Sequence, residues 1–244
     1  MKCMILAAGY ATRLYPLTEN FPKPLLEVQG KAILDWLIED MDKAGVIDEY
    51  VVISNHKYAH HFHSWAKEHK QKITVVDDGT STNETRLGAV RDIQFAMDAL
   101  NIREDVLVMA GDNLLDFSLT KFIDYALQKK TSCIMRYYEA DAARLRRSGV
   151  VTLDEQERVL EMAEKPQNPA SNWCSPAFYY YTAADAARIA EGIADGCHTD
   201  APGSYVAWLC KRAVVYAMEM PGKRYDIGNL QSYEAVQKEY KGLC

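Results

Sequence analysis

The sequence predicts an α/β protein, a three-layer αβα sandwich built on a mostly parallel sheet, and three observations carry that prediction. Short runs rich in β-branched residues alternate with segments of helical period through the first half of the chain. These runs are almost continuously apolar, as strands covered on both faces must be. A loop of small residues, Ala7-Ala8-Gly9, follows the first run, at the edge where open parallel sheets bind ligands.

Cys3–Leu6 is the first strand, a buried run that passes into a loop at Gly9, Thr12, Arg13 and Pro16. Ile33–Ala44 has helical spacing and stops at Gly45, and Tyr50–Ile53 is the next strand. Helix Tyr58–Glu68, strand Ile73–Val76, helix Leu87–Leu100 and strand Val106–Ala110 repeat the unit. After helix Leu119–Lys129 and strand Cys133–Tyr138 the texture changes. Gly149–Leu153 and Val159–Met162, either side of Asp154-Glu155, read as a hairpin. The aromatic run Trp173–Tyr181, helices near Ala183–Ile193 and Tyr205–Lys211, strand Val214–Met218, the short Tyr225–Ile227 segment and helix Leu230–Tyr240 complete the chain. No Gly/Ser- or Pro-rich linker divides it, so residues 1–244 read as one domain with two lobes and no appended module.

The 244 residues carry 28 Lys+Arg against 34 Asp+Glu, a net charge of −6, which excludes partners that need a basic face: no nucleic acid and no anionic membrane surface. Any phosphate ligand must therefore meet local cations. Six scattered cysteines without a C-x-x-C pair read as reduced thiols in a cytoplasmic protein. No stretch approaches the roughly 18 to 20 apolar residues of a spanning helix.

The densest signal is Leu6-Ala7-Ala8-Gly9-Tyr10-Ala11-Thr12-Arg13-Leu14-Tyr15-Pro16-Leu17-Thr18, followed by Pro22-Lys23-Pro24. Small residues let backbone N–H groups approach crowded phosphate oxygens, and Arg13 and Lys23 add fixed positive charge. A Walker loop, with its Gly-Lys-Ser/Thr ending, is absent, as is the dinucleotide fingerprint of three spaced glycines. Asp112, in Gly111-Asp112-Asn113, stands at the tip of a predicted buried strand, and Asp226 lies in Tyr225-Asp226-Ile227-Gly228. Two converging aspartates suit Mg²⁺, which takes one or two carboxylates plus phosphate oxygens and water. Taken singly, each reads as a turn or cap residue. His56, His60, His61 and His63 read as a solvated helix, because adjacent histidines face different sides and no carboxylate or thiolate joins them at ligand spacing.

The loop string resembles the L-A-(A/G)-G-x-G-(T/S)-R-L-x-P-L-T…P-K-P signature of the sugar-1-phosphate nucleotidylyltransferases, the glucose-1-phosphate thymidylyltransferase type, with Ala11 in place of the second glycine. That resemblance extends to G-D-N at Asp112, to the late aromatic-D-I-G segment at Asp226 and to E-K-P at Glu164-Lys165-Pro166, and so spans nearly the whole chain. It implies a Rossmann-like, GT-A-like nucleotidyltransferase fold with a nucleotide-binding lobe at 1–115 and an acceptor-binding lobe at 116–244. It implies an enzyme that joins an NTP to a sugar 1-phosphate, giving an NDP-sugar and diphosphate, with Mg²⁺ on Asp112 and Asp226. Leu6, Ala7, Ala8, Gly9, Arg13, Lys23 and Asp112 would meet the nucleotide, with Arg13, Lys23 and Asp112 catalytic. Asn83 and Gly88 fall where the family reads the nucleobase, although one amide cannot fix base identity, because it pairs with either edge by flipping. Gly149, Glu164 and Lys165 would bind the acceptor.

Ser148 in place of an aromatic residue, and Ser175-Pro176-Ala177 in place of a segment ending in glycine, both fall in the acceptor pocket. Two further readings stand beside the first: a cytidylyltransferase for phosphocholine or a phosphonate, which changes only the acceptor, and, because of Ala11 in the phosphate loop, a catalytically silent nucleotide-sugar-binding regulator. Assembly into a homo-oligomer is left open.

Overall fold

The computed structural model describes residues 1–243; Cys244, one of the six expected thiols, lies outside the described residues. The chain divides into two compact units that interleave along the sequence. One unit comprises Met1–Arg86, Ala110–Lys121 and the chain from Pro221, and the other comprises Leu87–Met109 and Phe122–Met220. Cys3, Cys133, Cys174, Cys197 and Cys210 are free thiols. Among the described residues no helix is long and apolar enough to cross a membrane.

In the first unit, strands Lys2–Leu6, Glu49–Ser54 and Ile73–Asp77 run parallel in that order, with Leu6 opposite Ile53 and Ile53 opposite Val76. The middle strand is buried along its whole length, as its unbroken apolar run requires. A hairpin, Glu27–Val28 with Lys31–Ala32, turns through Gln29 and Gly30, both at positive φ as a two-residue turn requires. It leads into helix Ile33–Asp42, which buries Ile33, Leu34, Leu37, Ile38 and Met41 on one face. The expected stop at Gly45 holds, with Gly45 in the left-handed region just past the helix end. A short pairing of Leu114–Leu115 with Arg224–Tyr225 ties the late part of the chain to this unit. Leu14, Leu26, Val28, Ile33, Leu114, Ile227, Val236 and Tyr240 close around that pairing as one core.

In the second unit, strands Val106–Ala110, Ser132–Tyr138 and Val215–Glu219 share one direction, and Phe178–Tyr181 runs antiparallel between the first two. The expected hairpin is Gly149–Leu153 with Val159–Glu164, paired antiparallel. The aromatic run expected as one strand is two. Trp173–Ser175 pairs with Ser132–Tyr138 and Gly149–Leu153, whereas Phe178–Tyr181 pairs with Val106–Ala110 and Ser132–Tyr138. Pro176 causes the break, because it has no N–H for a ladder, and its carbonyl accepts the Phe178 N–H at 2.8 Å in a tight turn. The expected helix Ala183–Ile193 is likewise two short helices, Ala183–Ala186 and Ile189–Ala194, and the next helix is Gly203–Leu209.

Candidate active site

The loop after the first strand is held from below by its own unit. Ala7 donates its N–H to Ile53 O at 2.8 Å, and the buried Asn55 amide donates to Ala8 O at 2.9 Å. Gly9 is exposed, and a Cβ there would meet no atom of the described residues within 4 Å. Ala11, the departure from the family pattern, stands in the left-handed region at φ 45°, ψ 41°. A side chain in that conformation costs about 1–2 kcal/mol. The strained peptide is fixed because Ala11 O accepts the Leu14 N–H at 2.9 Å and the Thr18 hydroxyl at 2.8 Å. Arg13 follows in a single helical turn, Thr12–Leu14, exposed and without an ion-pair partner among the described residues.

Lys23 lies in a second short turn, Lys23–Leu25, with its side chain only 9% exposed, and its Nζ donates to Asp112 Oδ2 at 2.6 Å. Gly111 makes this approach feasible: its N–H donates to Leu6 O at 3.0 Å, and a Cβ at this position would stand 2.8 Å from Ile5 Cγ2. Burial acts to raise the Asp112 carboxyl pKa, but the charge and hydrogen bond of Lys23, with Arg224 farther off, outweigh it and hold the group below the usual carboxylate range. Arg224 Nη1 donates to Asn113 Oδ1 at 3.2 Å and lies 3.8 Å from Asp226 Oδ1. Both aspartates thus come under the charge of one arginine, beside the short Leu114–Leu115/Arg224–Tyr225 pairing. Among the described residues no group of three or more His, Cys, Asp or Glu forms a metal cage. Two hard carboxylates, 42% and 73% exposed, nonetheless fit Mg²⁺, which keeps water ligands and completes its shell with phosphate oxygens.

In the second unit the acceptor candidates converge on Glu164. Cβ atoms built on Gly149 and Gly203 would stand 3.3 and 2.1 Å from Glu164 Oε1 and 2.7 and 2.2 Å from Met162 Cε, so two glycines leave a slot shared by this carboxylate and the methionine methyl. Burial pushes its pKa up, against the pull of Lys165 and of a hydrogen bond from the Gly203 N–H, with Asp200 adding to the rise. Lys165 is exposed and held at φ 47° before Pro166, its N–H donating to Ser148 O at 3.0 Å. A lysine in the left-handed region is strained backbone of the kind that concentrates at functional sites. Gly203 opens the helix Gly203–Leu209, and its contact with Glu164 has no local sequence signal.

Asn83 and Gly88 separate. Asn83 is exposed in the polar loop, with its carbonyl taken by Arg86 Nη1 at 2.7 Å, whereas Gly88 is buried at φ 90°. A Cβ on Gly88 would stand 2.6 Å from Thr199 O, and the Thr199 and Asp200 carbonyls accept the Val90 and Ala89 N–H groups at 3.0 and 3.2 Å. The fold itself thus requires Gly88. The histidines serve separate partners: His56 Nδ1 lies 2.6 Å from Asp77 Oδ2, and His61 Nε2 is 2.8 Å from Asn20 O.

A parallel sheet edge that carries a small-residue loop, a buried lysine on an aspartate and a second aspartate under the same arginine makes this an α/β protein with the residues to receive a phosphate. The chain belongs to the nucleotidyl transferase family, whose profile matches residues 2–242. It is 32% identical over 74% of its length to the bifunctional protein GlmU of Methanococcus aeolicus, of which it spans 40%. It is 27% identical to the UTP–glucose-1-phosphate uridylyltransferase AglF of Haloferax volcanii, covering 93% of this chain and 91% of that one. The crystal structure of a UDP-glucose pyrophosphorylase complexed with UDP-glucose superposes with a TM-score of 0.83 at 21% identity, covering 98% of this chain and 97% of that one, which establishes the shared fold.

Proposed function

We propose that the protein is a sugar-1-phosphate nucleotidylyltransferase: an NTP and a sugar 1-phosphate give an NDP-sugar and diphosphate. The observation that carries this reading is the Lys23–Asp112 pair, 2.6 Å apart, in the same unit as a loop whose exposed Gly9 and Arg13 have no partners of their own among the described residues. An acceptor phosphate oxygen forms the new bond to the α-phosphorus in line, and the bond from that phosphorus to the β-phosphate bridging oxygen breaks. The attacking oxygen is already anionic, so no side-chain base is needed, and catalysis is positioning plus charge neutralisation.

Arg13 holds the leaving β,γ-phosphates, Lys23 the α-phosphate region, and Lys165 the acceptor phosphate. Asn83 reads the base, and Gly149 and Glu164 face the sugar. Asp112 and Asp226 would hold Mg²⁺, which supplies charge neutralisation at the α-phosphate when bound. Lys23 then takes on a second role, keeping Asp112 ionised so that its oxygens remain available to a cation.

A pyrophosphate-release screen tests the proposal, with ATP, GTP, CTP, UTP and dTTP crossed against sugar 1-phosphates and amino-alcohol phosphates in Mg²⁺. Release with a sugar 1-phosphate is the expected result. Turnover confined to CTP with phosphocholine moves the protein to the cytidylyltransferase reading, since the Ser148 and Pro176-Ala177 departures fall where the acceptor is chosen. Triphosphate or NDP-sugar binding without release in any combination makes it a regulator.

A further inference from the structure

We propose that Asn55, a residue with no contact to any reacting group, is the positioning residue that aims the Gly9 N–H at the bound nucleotide. The inference rests on the nucleotidyl-transfer reading of the same loop. Asn55 is fully buried at the carboxyl end of strand Glu49–Ser54, and its amide is used at both ends. Nδ2 donates to Ala8 O at 2.9 Å, and Oδ1 accepts the Tyr58 N–H at 3.0 Å. These two bonds fix the amide orientation, because Tyr58 N–H can only donate and Ala8 O can only accept. The Asn55 carbonyl also accepts the Ala59 N–H at 3.1 Å, so the residue is locked into the start of helix Ala59–Ala66.

The consequence follows from peptide geometry. The Ala8–Gly9 bond is trans, so its C=O and N–H point in opposite directions across one plane. Asn55 draws Ala8 O inward and thereby turns the Gly9 N–H outward. Gly9 is exposed, its N–H has no acceptor among the described residues, and a Cβ there meets nothing within 4 Å. A buried amide therefore presents one unpaired donor to open space, in the first loop at the carboxyl edge of the sheet.

The same short segment braces the far side of the loop. The Tyr58 hydroxyl donates to Thr18 O at 2.6 Å, and the Thr18 hydroxyl donates to Ala11 O at 2.8 Å, holding the left-handed turn. The Asn55–Tyr58 segment thus fixes two peptides of the loop, at Ala8 directly and at Ala11 through Thr18.

Asn55→Asp retains the acceptor for Tyr58 and removes the donor to Ala8, and isothermal titration with Mg-free ATP, GTP, CTP, UTP and dTTP reads the effect. The triphosphate that wild type binds should bind the variant about tenfold to a hundredfold more weakly, with the acceptor KM unchanged. Asn55→Ser, a smaller change that leaves no buried charge, should show the same split. In wild type labelled with ¹⁵N-glycine, the Gly9 amide should shift and become protected from exchange on saturation with that triphosphate. Unchanged triphosphate affinity in a folded variant overturns the proposal, as does a Gly9 amide indifferent to nucleotide, or a loss in which nucleotide and acceptor constants move together with the melting temperature. Wild type that binds none of the triphosphates overturns the nucleotidyl-transfer reading and this one with it.

Discussion

Replacing Gly203 with alanine separates a packing role from a substrate-binding one. A Cβ at this position would lie 2.1 Å from Glu164 Oε1 and 2.2 Å from Met162 Cε, and both obstacles are the free ends of flexible side chains. The backbone need not move, so the stability cost should be that of modest overpacking, about 1–3 kcal/mol. Glu164 cannot stay, because reaching ordinary contact at 3.4 Å requires a retreat of about 1.3 Å, which also strains its hydrogen bond from the residue 203 N–H. A group misplaced by about 1 Å costs on the order of 100-fold in rate. Steady-state pyrophosphate release, with acceptor and nucleotide varied in turn, should show acceptor kcat/KM falling by about that factor while the nucleotide KM holds. Circular dichroism melting checks that the fold survives. Acceptor kcat/KM within threefold of wild type would remove Glu164 from the acceptor site. Gly88→Ala is the contrasting case: its Cβ meets Thr199 O at 2.6 Å and Asp200 Cα at 2.9 Å at a positive φ. Backbone cannot give way as a side-chain tip does, so this variant should lose stability, by roughly 3 kcal/mol or more, before any question of catalysis arises.

Asp112→Asn should lose pyrophosphate release by orders of magnitude while the fold survives with a lowered melting temperature, since Lys23, only 9% exposed, loses its counter-charge; near-normal turnover would sink the assignment. Lys165→Gly should hold or raise stability, by up to about 1 kcal/mol from the relieved φ of 47°, while acceptor kcat/KM falls; a parallel loss of both would make Lys165 structural. Glu49 is buried, and although burial pushes its pKa up, hydrogen bonds from Lys2, Thr74 and Lys72 bring it down to about 2 from an ordinary 4.5. A depressed carboxyl stabilises the fold above its unfolded pKa and loses that contribution as pH falls through the folded one. The advantage of wild type over Glu49→Gln in urea unfolding, about 3 kcal/mol at neutral pH, should therefore shrink between pH 4.5 and 2, and a pH-independent gap would refute it.

The parts of this site legible in the sequence are those made from neighbours in the chain. The run from Leu6 to Thr18 carries its own chemistry, the strand before it stands where it was expected, and Arg13 and Lys23 lie in the two short helical turns of the loop that follows that strand. Asp226 is different: nothing around it specifies that the segment carrying it and Arg224 pairs beside Asp112. That pairing depends on Ile227, Val236 and Tyr240 joining the core of Leu14, Val28 and Ile33, a long-range packing event that periodicity does not record. Pro176 was visible, yet its effect was read onto the ligand when it acts first on the sheet, sending Trp173–Ser175 and Phe178–Tyr181 to different partners. The buried Asn55 was passed over because one polar residue after a strand looks like any turn, and only the Ala8 carbonyl 2.9 Å away shows its use.

The glycines show why a motif cannot assign its own residues. Gly88 matches a base-reading position, but the Thr199–Asp200 backbone excludes any side chain there, so the fold alone accounts for it. Gly149 and Gly203 make room for the Met162 methyl and the Glu164 carboxylate together, so part of their requirement passes to whatever Glu164 binds. Gly9 has neither reason, since its φ lies outside the left-handed region and no atom of the described residues stands within 4 Å of where a Cβ would go. Two residues on, Ala11 does occupy the left-handed region, where glycine would fit better, and carries a side chain regardless. Conformational need and glycine content are thus uncoupled in this loop. The glycine that the protein itself does not need is the one whose open space points outward, beside an N–H that Asn55 turns the same way.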